Sequence, residues 1–327
     1  MKTFILACLF ILASVAPAFA LEKSSVTIGG EVRDFYVHIP PNISDDKLLP
    51  AVIMLHGGGG NAANAEQQTN FDAVADKYGF MAVYPEGNGA MIKKSIRTWN
   101  AGLCCGGAVR SNADDVGFIS AIIDALVRDF GADKKRIYAT GHSNGAMMSY
   151  RLACELSDKI AAIAPNSGQR VFADCHPKRH VPVLHIHGTA DPCALYNGGQ
   201  QCGGCFTKAL GLGLPMSGDQ WACRPVPDVV AEHAQMNGCS METDVVMKTG
   251  AVTCRAFRCP ADGATVLCSI AGAGHSWPGT SDSGPTICAA KPDRPICKKF
   301  SGTTGNRNSD IDASDVIWNF FKNQHLP

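Results

Sequence analysis

A serine, an aspartate and a histidine stand in this chain at spacings that suit acyl transfer. Gly141-His142-Ser143-Asn144-Gly145 sets a serine between two positions with almost no side chain. A hydroxyl is a weak nucleophile until a histidine takes its proton and a carboxylate orients that histidine. Asp191, in HIHGTADPC, and His275, in GAGHSWPG, follow Ser143 in the order serine, acid, histidine. Each stands just past a short apolar run that reads as a strand. The pattern predicts Ser143 as nucleophile, His275 as general base and Asp191 as its orienting acid. The attacked carbonyl oxygen also needs N–H donors. His56-Gly57-Gly58-Gly59-Gly60 follows another apolar run. Its backbone is expected to offer the N–H of Gly58 or Gly59, with Asn144 supplying the second donor.

Other residues near these motifs have weaker claims. His142 could line the pocket beside the serine. Trp99 and Trp277 could form an aromatic wall for a substrate, or each could pack in the core, as tryptophans more often do. His185 and His187 share one strand face, but no acid or thiol stands at ligand spacing, so no metal site is read there. They read as packing beside the site, with His187 nearest to it. Asp114 and Asp115 open a helical pattern and suit N-terminal capping. Asp310, Asp312 and Asp315 lack the glycine and distal glutamate of a calcium loop.

The elements that must position these residues follow from periodicity. The serine pentapeptide needs a strand before it and a helix after it, so that a tight turn lifts the hydroxyl clear. RIYAT, residues 136–140, and the stretch 145–156 supply them. Upstream, Val116, Ile119, Ile122, Ile123, Leu126 and Phe130 recur at helical spacing, and Gly131 ends the helix. Buried strands are expected over residues 48–55, 80–85, 160–165, 181–189 and 265–271, and a half-buried one over residues 33–39. Asp312 is expected to cap a terminal helix. Apolar strands alternating with helices mean a mostly parallel sheet covered on both faces. Residues 193–262 break the rhythm and hold seven cysteines, and they read as a disulfide-stapled insertion with a helix around Asp228–Met236. Residues 21–327 are read as one catalytic domain.

Composition bounds the function. Lys+Arg and Asp+Glu are both 29, so nothing steers the chain toward nucleic acid or an anionic membrane surface. Hydrophobic residues make up 46% of the 327 residues, enough for a large core. Residues 1–20, with Lys2, an apolar stretch and Ala18-Phe19-Ala20, read as a secretory signal peptide. No later run is long enough to span a membrane. The protein is expected to be secreted, or periplasmic in a bacterium. Setting Cys8 aside leaves fourteen cysteines, enough for up to seven disulfides in an oxidising compartment. Cys104-Cys105 and the Cys202–Cys205 pair read as disulfide cysteines rather than zinc ligands. Asn42-Ile43-Ser44 is a glycosylation sequon.

HGGGG, TWNAGLCCG, DDVGF, GHSNGAMMSYRLAC, IAPNSG, HGTADPC and GAGHSWPG occur in that order. Together they resemble the secreted esterases grouped with polyhydroxybutyrate depolymerases, feruloyl esterases and acetylxylan esterases. The resemblance covers roughly residues 25–325. It implies an α/β-hydrolase fold and a serine esterase that needs no cofactor. By motif it puts the nucleophile on Ser143, the acid on Asp191 and the base on His275. The implied substrate is a small phenolic ester, an oligosaccharide ester or a polyester oligomer. Feruloyl-type hydrolysis is the leading reading, with polyester depolymerase or acetylxylan esterase as alternatives.

Overall fold

Every residue of β3 (Leu49–Leu55) is buried. A strand buried on both faces needs a layer above and a layer below, which helix crossovers supply. The computed structural model describes residues 21–41, 47–91, 96–205, 221–280, 291 and 293–327. The expected signal peptide, the Asn42 sequon and part of the expected insertion lie outside the described residues. The strands are β1 (Glu22–Ile28), β2 (Glu31–His38), β3, β4 (Met81–Pro85), β5 (Asn88–Met91), β6 (Ile96–Thr98), β7 (Ala132–His142), β8 (Ala162–Asn166), β9 (Val183–Gly188), β10 (Gly199–Cys202), β11 (Trp221–Cys223), β12 (Thr243–Thr249), β13 (Val252–Phe257) and β14 (Thr265–Ile270). Ten of them form one sheet in the order β1-β2-β4-β3-β7-β8-β9-β14-β13-β12. From β4 to β14 the neighbours run parallel. The outer pairs are antiparallel.

Eight helices are described: α1 (Ala62–Thr69), α2 (Phe71–Tyr78), α3 (Gly106–Arg110), α4 (Asp115–Asp129), α5 (Asn144–Glu155), α6 (Val226–Met236), α7 (Pro295–Thr304) and α8 (Ala313–Phe321). Phe118, Ile122, Met147 and Met148 of α4 and α5 join the core on one face of the sheet. Phe71, Val74, Ile317 and Trp318 of α2 and α8 join the core on the other. Burying each such side chain stabilises the fold by about 1.5–3 kcal/mol. No helix among the described residues is long and apolar enough to cross a membrane.

Two sequence expectations need correction. Only one of the two acids that open α4 is a cap. Asp114 accepts the Gly117 N–H at 2.8 Å, whereas Asp115 is buried, pairs with Arg33 at 2.7 Å and accepts the Asn100 N–H at 2.6 Å. Burial raises the Asp115 pKa, and Arg33 works against that rise. The insertion is also shorter than residues 193–262. β12 and β13 belong to the main sheet, and their half-exposed, polar-rich pattern hid them. Among the described residues, disulfides join Cys104–Cys105, Cys154–Cys175, Cys193–Cys205, Cys202–Cys223, Cys239–Cys259 and Cys254–Cys268. Cys297 is disulfide-bonded as well. Cys202 and Cys205 therefore pair with other cysteines and not with each other.

Candidate active site

β7 ends at His142, and α5 begins at Asn144. Ser143 turns the chain between them with φ 57° and ψ −118°. A non-glycine residue in such a region costs about 1–3 kcal/mol, which the surroundings must offset. Two contacts hold the turn. The Ser143 N–H donates to Asn166 O at 2.9 Å. Gly145 packs so closely on β3 that an added Cβ would lie 2.1 Å from Leu55 O. This close approach is the physical reason for a glycine two residues past the serine. Ser143 is only partly buried, whereas His142 and Asn144 are buried. The turn thus leaves the serine as its accessible residue.

β9 and β14 are parallel neighbours, and the segments after them carry Asp191 and His275. Gly188 lets those segments meet, since a Cβ there would lie 2.3 Å from Ala273 O. His275 Nδ1–H donates to Asp191 Oδ2 at 2.7 Å. Asp191 Oδ1 accepts the N–H groups of Cys193 at 2.7 Å and Ala194 at 2.8 Å. Burial alone would raise the Asp191 pKa. The neighbouring His275 and the hydrogen bonds from His187 and His275 outweigh burial, and the carboxyl stays well below its usual range. The donor atoms of Asp191, Cys193 and His275 lie within 4.8 Å of one another. The Cys193 sulfur is tied to Cys205, so that group lacks a thiolate to offer a metal.

Asn166, the last residue of β8, joins the two halves of the site. Its carbonyl accepts the Ser143 N–H, and its Nδ2 donates to Ser276 O at 3.0 Å and to His142 Nδ1 at 2.9 Å. An acceptor at Nδ1 leaves the His142 proton on Nε2. Burial, helped by neighbouring His275, keeps His142 neutral by lowering its pKa. The His142 and His275 ring centroids are 4.6 Å apart. The Ser143 hydroxyl makes no hydrogen bond among the described residues. Asn166 thus ties the serine turn to the segment of His275, with no Ser143–His275 hydrogen bond between them. Sequence reasoning assigned Asn166 no role. It sits in the IAPNSG motif, but nothing in that motif reveals which groups it bridges.

The glycine loop after β3 lies against the elbow. An added Cβ on Gly57 would be 3.6 Å from Ser143 Cβ, and one on Gly58 would be 3.5 Å from Asn144 Cβ. The N–H groups of Gly58 and Asn144 have no partner among the described residues. Gly59 is excluded as an oxyanion donor. The turn closed by Gly60 N–H to Gly57 O directs the Gly59 N–H to Arg97 O at 2.8 Å. His56 stabilises this loop from behind. Its Nδ1–H donates to Gly57 O at 2.8 Å, and its Nε2 accepts the Gly87 N–H at 3.0 Å. Burial pushes the His56 pKa down to about 4.

The aromatic wall is not formed. Trp99 and Trp277 are 0% and 1% exposed. Trp99 Nε1–H donates to His56 O at 2.9 Å, and Trp277 Nε1–H donates to Ser314 Oγ at 3.1 Å. A buried indole needs such a partner, and each tryptophan fixes a loop instead of meeting substrate. Asn144 extends the Trp99 anchor. Its side chain accepts the Trp99 N–H at 2.7 Å and donates to Trp99 O at 3.0 Å. His185 and His187 are fully buried and hydrogen-bonded to each other at 2.9 Å.

Residues 34–202 match the family model described as esterase PHB depolymerase. A bifunctional acetylxylan esterase/xylanase of Neocallimastix patriciarum is 33% identical over 167 residues, 51% of this chain and 22% of that protein. Feruloyl esterase B of Piromyces equi is 30% identical over 250 residues, 75% of this chain and 42% of that protein. The chain thus spans less than half the length of these two relatives. Feruloyl esterase C of Emericella nidulans is 29% identical over 197 residues, 59% of this chain and 69% of that protein. Among solved structures, the acetyl xylan esterase from Aspergillus awamori aligns with a TM-score of 0.52 at 14% identity, covering 78% of this chain and 94% of that one. At that identity the likeness is one of fold, the α/β-hydrolase fold.

Proposed function

The chain belongs to the esterase PHB depolymerase family, and from that premise we propose that it is an exported serine carboxylic-ester hydrolase of feruloyl-esterase type. The observation that carries the reading is the His275–Asp191 hydrogen bond of 2.7 Å beside a serine held at φ 57°. His275 Nε2 takes the Ser143 proton as Oγ attacks the ester carbonyl. Asp191 keeps the His275 proton on Nδ1 and stabilises the imidazolium that forms. The N–H groups of Gly58 and Asn144, the latter at the positive end of α5, receive the oxyanion. His275 then protonates the leaving alcohol oxygen, and the acyl group stays on Ser143. A water that gives its proton to His275 attacks the acyl-enzyme, and His275 returns that proton to Ser143 Oγ as the acid leaves.

Feruloyl esterases B and C among the relatives support hydroxycinnamoyl esters as substrates. The acetylxylan esterase relative supports a second reading, removal of acetyl groups from xylan. Export is supported by the disulfides, which persist in oxidising compartments. The test compares wild type with Ser143→Ala on p-nitrophenyl acetate, methyl ferulate, acetylated xylan and a 3-hydroxybutyrate oligomer. Methyl ferulate is expected to show the highest kcat/KM, with the variant inactive on every ester. Preference for acetylated xylan selects the second reading. Equal activity of wild type and variant overturns the serine mechanism.

A further inference from the structure

Behind Asp191 lies a file of buried polar groups that the mechanism above leaves unused. Tyr150 OH is 2.9 Å from His185 Nδ1, His185 Nε2 is 2.9 Å from His187 Nδ1, and His187 Nε2 is 2.7 Å from Ala194 O. The same His187 Nε2 is 3.4 Å from Asp191 Oδ2. All three side chains are fully buried. Burying this many polar atoms in a core is costly unless each finds a partner.

The partners fix where the protons sit. Ala194 O can only accept, so His187 Nε2 carries a proton. With His187 neutral, its Nδ1 accepts from His185 Nε2–H, and His185 Nδ1 accepts from the Tyr150 O–H. Every donor then has an acceptor. In the opposite polarity His187 would be a cation, His185 Nδ1–H would donate to Tyr150, and the buried phenol proton would have no acceptor among the described residues. The first arrangement leaves nothing unsatisfied. Burial, followed by the neighbouring His187, lowers the His185 pKa and agrees with a neutral His185.

We propose that His187 is a positioning residue for the Asp191 carboxylate, held in a single tautomer by the chain Tyr150–His185–His187. This rests on the reading of Asp191 as the catalytic acid. α5 thus reaches the site twice, through its N-terminus at Asn144 and through Tyr150 on its second turn. The His187 N–H, donated to Ala194 O, also stands 3.4 Å from Asp191 Oδ2, and its positive end limits how basic that oxygen is. Removing it makes Asp191 hold the His275 proton more strongly. The imidazolium is then favoured, and the acid limb of the pH profile moves to higher pH. The titratable groups facing this pair are His187 from β9 and His142 from β7. His142 is kept neutral and is left unchanged by the test.

The test uses the full-length protein and p-nitrophenyl acetate, with kcat, KM and the pH profile of kcat/KM measured for His187→Leu, His187→Gln, Tyr150→Phe and Asp191→Asn. For His187→Leu the expected fall in kcat is roughly tenfold, because the carboxylate is no longer held in place, with KM unchanged and the acid limb raised. His187→Gln, which keeps an N–H donor, restores most of the loss. Tyr150→Phe removes one O–H and moves both readouts the same way by a smaller amount. If Asp191→Asn keeps wild-type turnover, the reading of Asp191 as the acid fails. If Asp191→Asn is inactive while His187→Leu keeps the wild-type acid limb, the acid reading stands and this inference is overturned. Should His187→Leu not fold, Tyr150→Phe decides, and an unchanged kcat and acid limb overturn the inference.

Discussion

Around Ser143 the atoms that fix geometry belong to backbone within one strand–helix turn and the strands beside it. Around Asp191 they belong to side chains and loop N–H groups brought in from distant segments. The first half tolerates no added bulk, because Gly145 lies against Leu55 O. The second half tolerates no lost donor, because Asp191 is buried and accepts from Cys193, Ala194 and His275. Backbone constraint is stiff and local. Hydrogen-bonded constraint can be tuned, since each donor shifts the carboxylate's basicity by its own amount. A hydrolase needs both, with a nucleophile that does not move and a base whose proton affinity suits its working pH.

The largest expected effects break the chemistry while leaving the fold intact. Ser143→Ala and Asp191→Asn should each lower kcat by roughly 10⁴-fold or more, with the urea midpoint of Ser143→Ala near that of wild type. Gly145→Ala should do the reverse and strike the fold first. Moving β3 away from α5 is expected to cost roughly 3 kcal/mol or more in urea unfolding, with activity lost as a consequence. If Gly145→Ala instead unfolds like wild type, the elbow is less constrained by backbone than the close approach implies.

A pH series separates the halves in another way. His56, behind the glycine loop, and His233, on α6, have folded pKa values of about 4 against an ordinary 6.5. Between those values the unfolded chain binds protons that the folded chain refuses, so stability falls as pH drops through this window. Each residue should remove roughly 3 kcal/mol between pH 7 and pH 4. Asp191 is displaced in the same direction, in a lower pH window. Its depressed pKa contributes stability above the ordinary carboxylate value of about 4, and that contribution is lost only below it. Urea midpoints at pH 7, 5.5 and 4, repeated with His56→Gln, should show a shallower fall for the variant. The smallest effect is a gain. Ser143→Gly should abolish activity yet stabilise the fold by about 1 kcal/mol, because glycine adopts φ 57° without strain.

Periodicity was sufficient for the core of the fold. The apolar runs that became β3, β4, β8, β9 and β14 and the spaced hydrophobics of α4 are legible because both faces of a parallel strand, or one stripe of a helix, must be apolar. The edge strand β12 and its neighbour β13 were not legible, since a strand wet on one face near a sheet margin carries no such run. Ser143, Asp191 and His275 could be proposed as the reacting groups from motif and order, because each stands where a buried strand gives way to a loop. Trp99 and Trp277 stayed open between wall and packing, since an indole has the same composition whether it faces a ligand or packs inside. The Gly59 N–H looked equivalent to that of Gly58 until the turn sent it to Arg97 O.

What the sequence determined alone is the set of groups whose role follows from local chemistry: the glycines of the elbow, the serine between them, and the apolar strands that end at the acid and the histidine. Only the tertiary structure decided what surrounds them. Asn166 lies between Ser143 and Ser276, Asp115 beneath the loop of Asn100, and Tyr150 at the head of a chain leading to Asp191. Each of these partnerships joins residues that are far apart along the chain. A buried polar atom is satisfied by whichever group packing brings within about 3 Å, and linear order carries no measure of that distance.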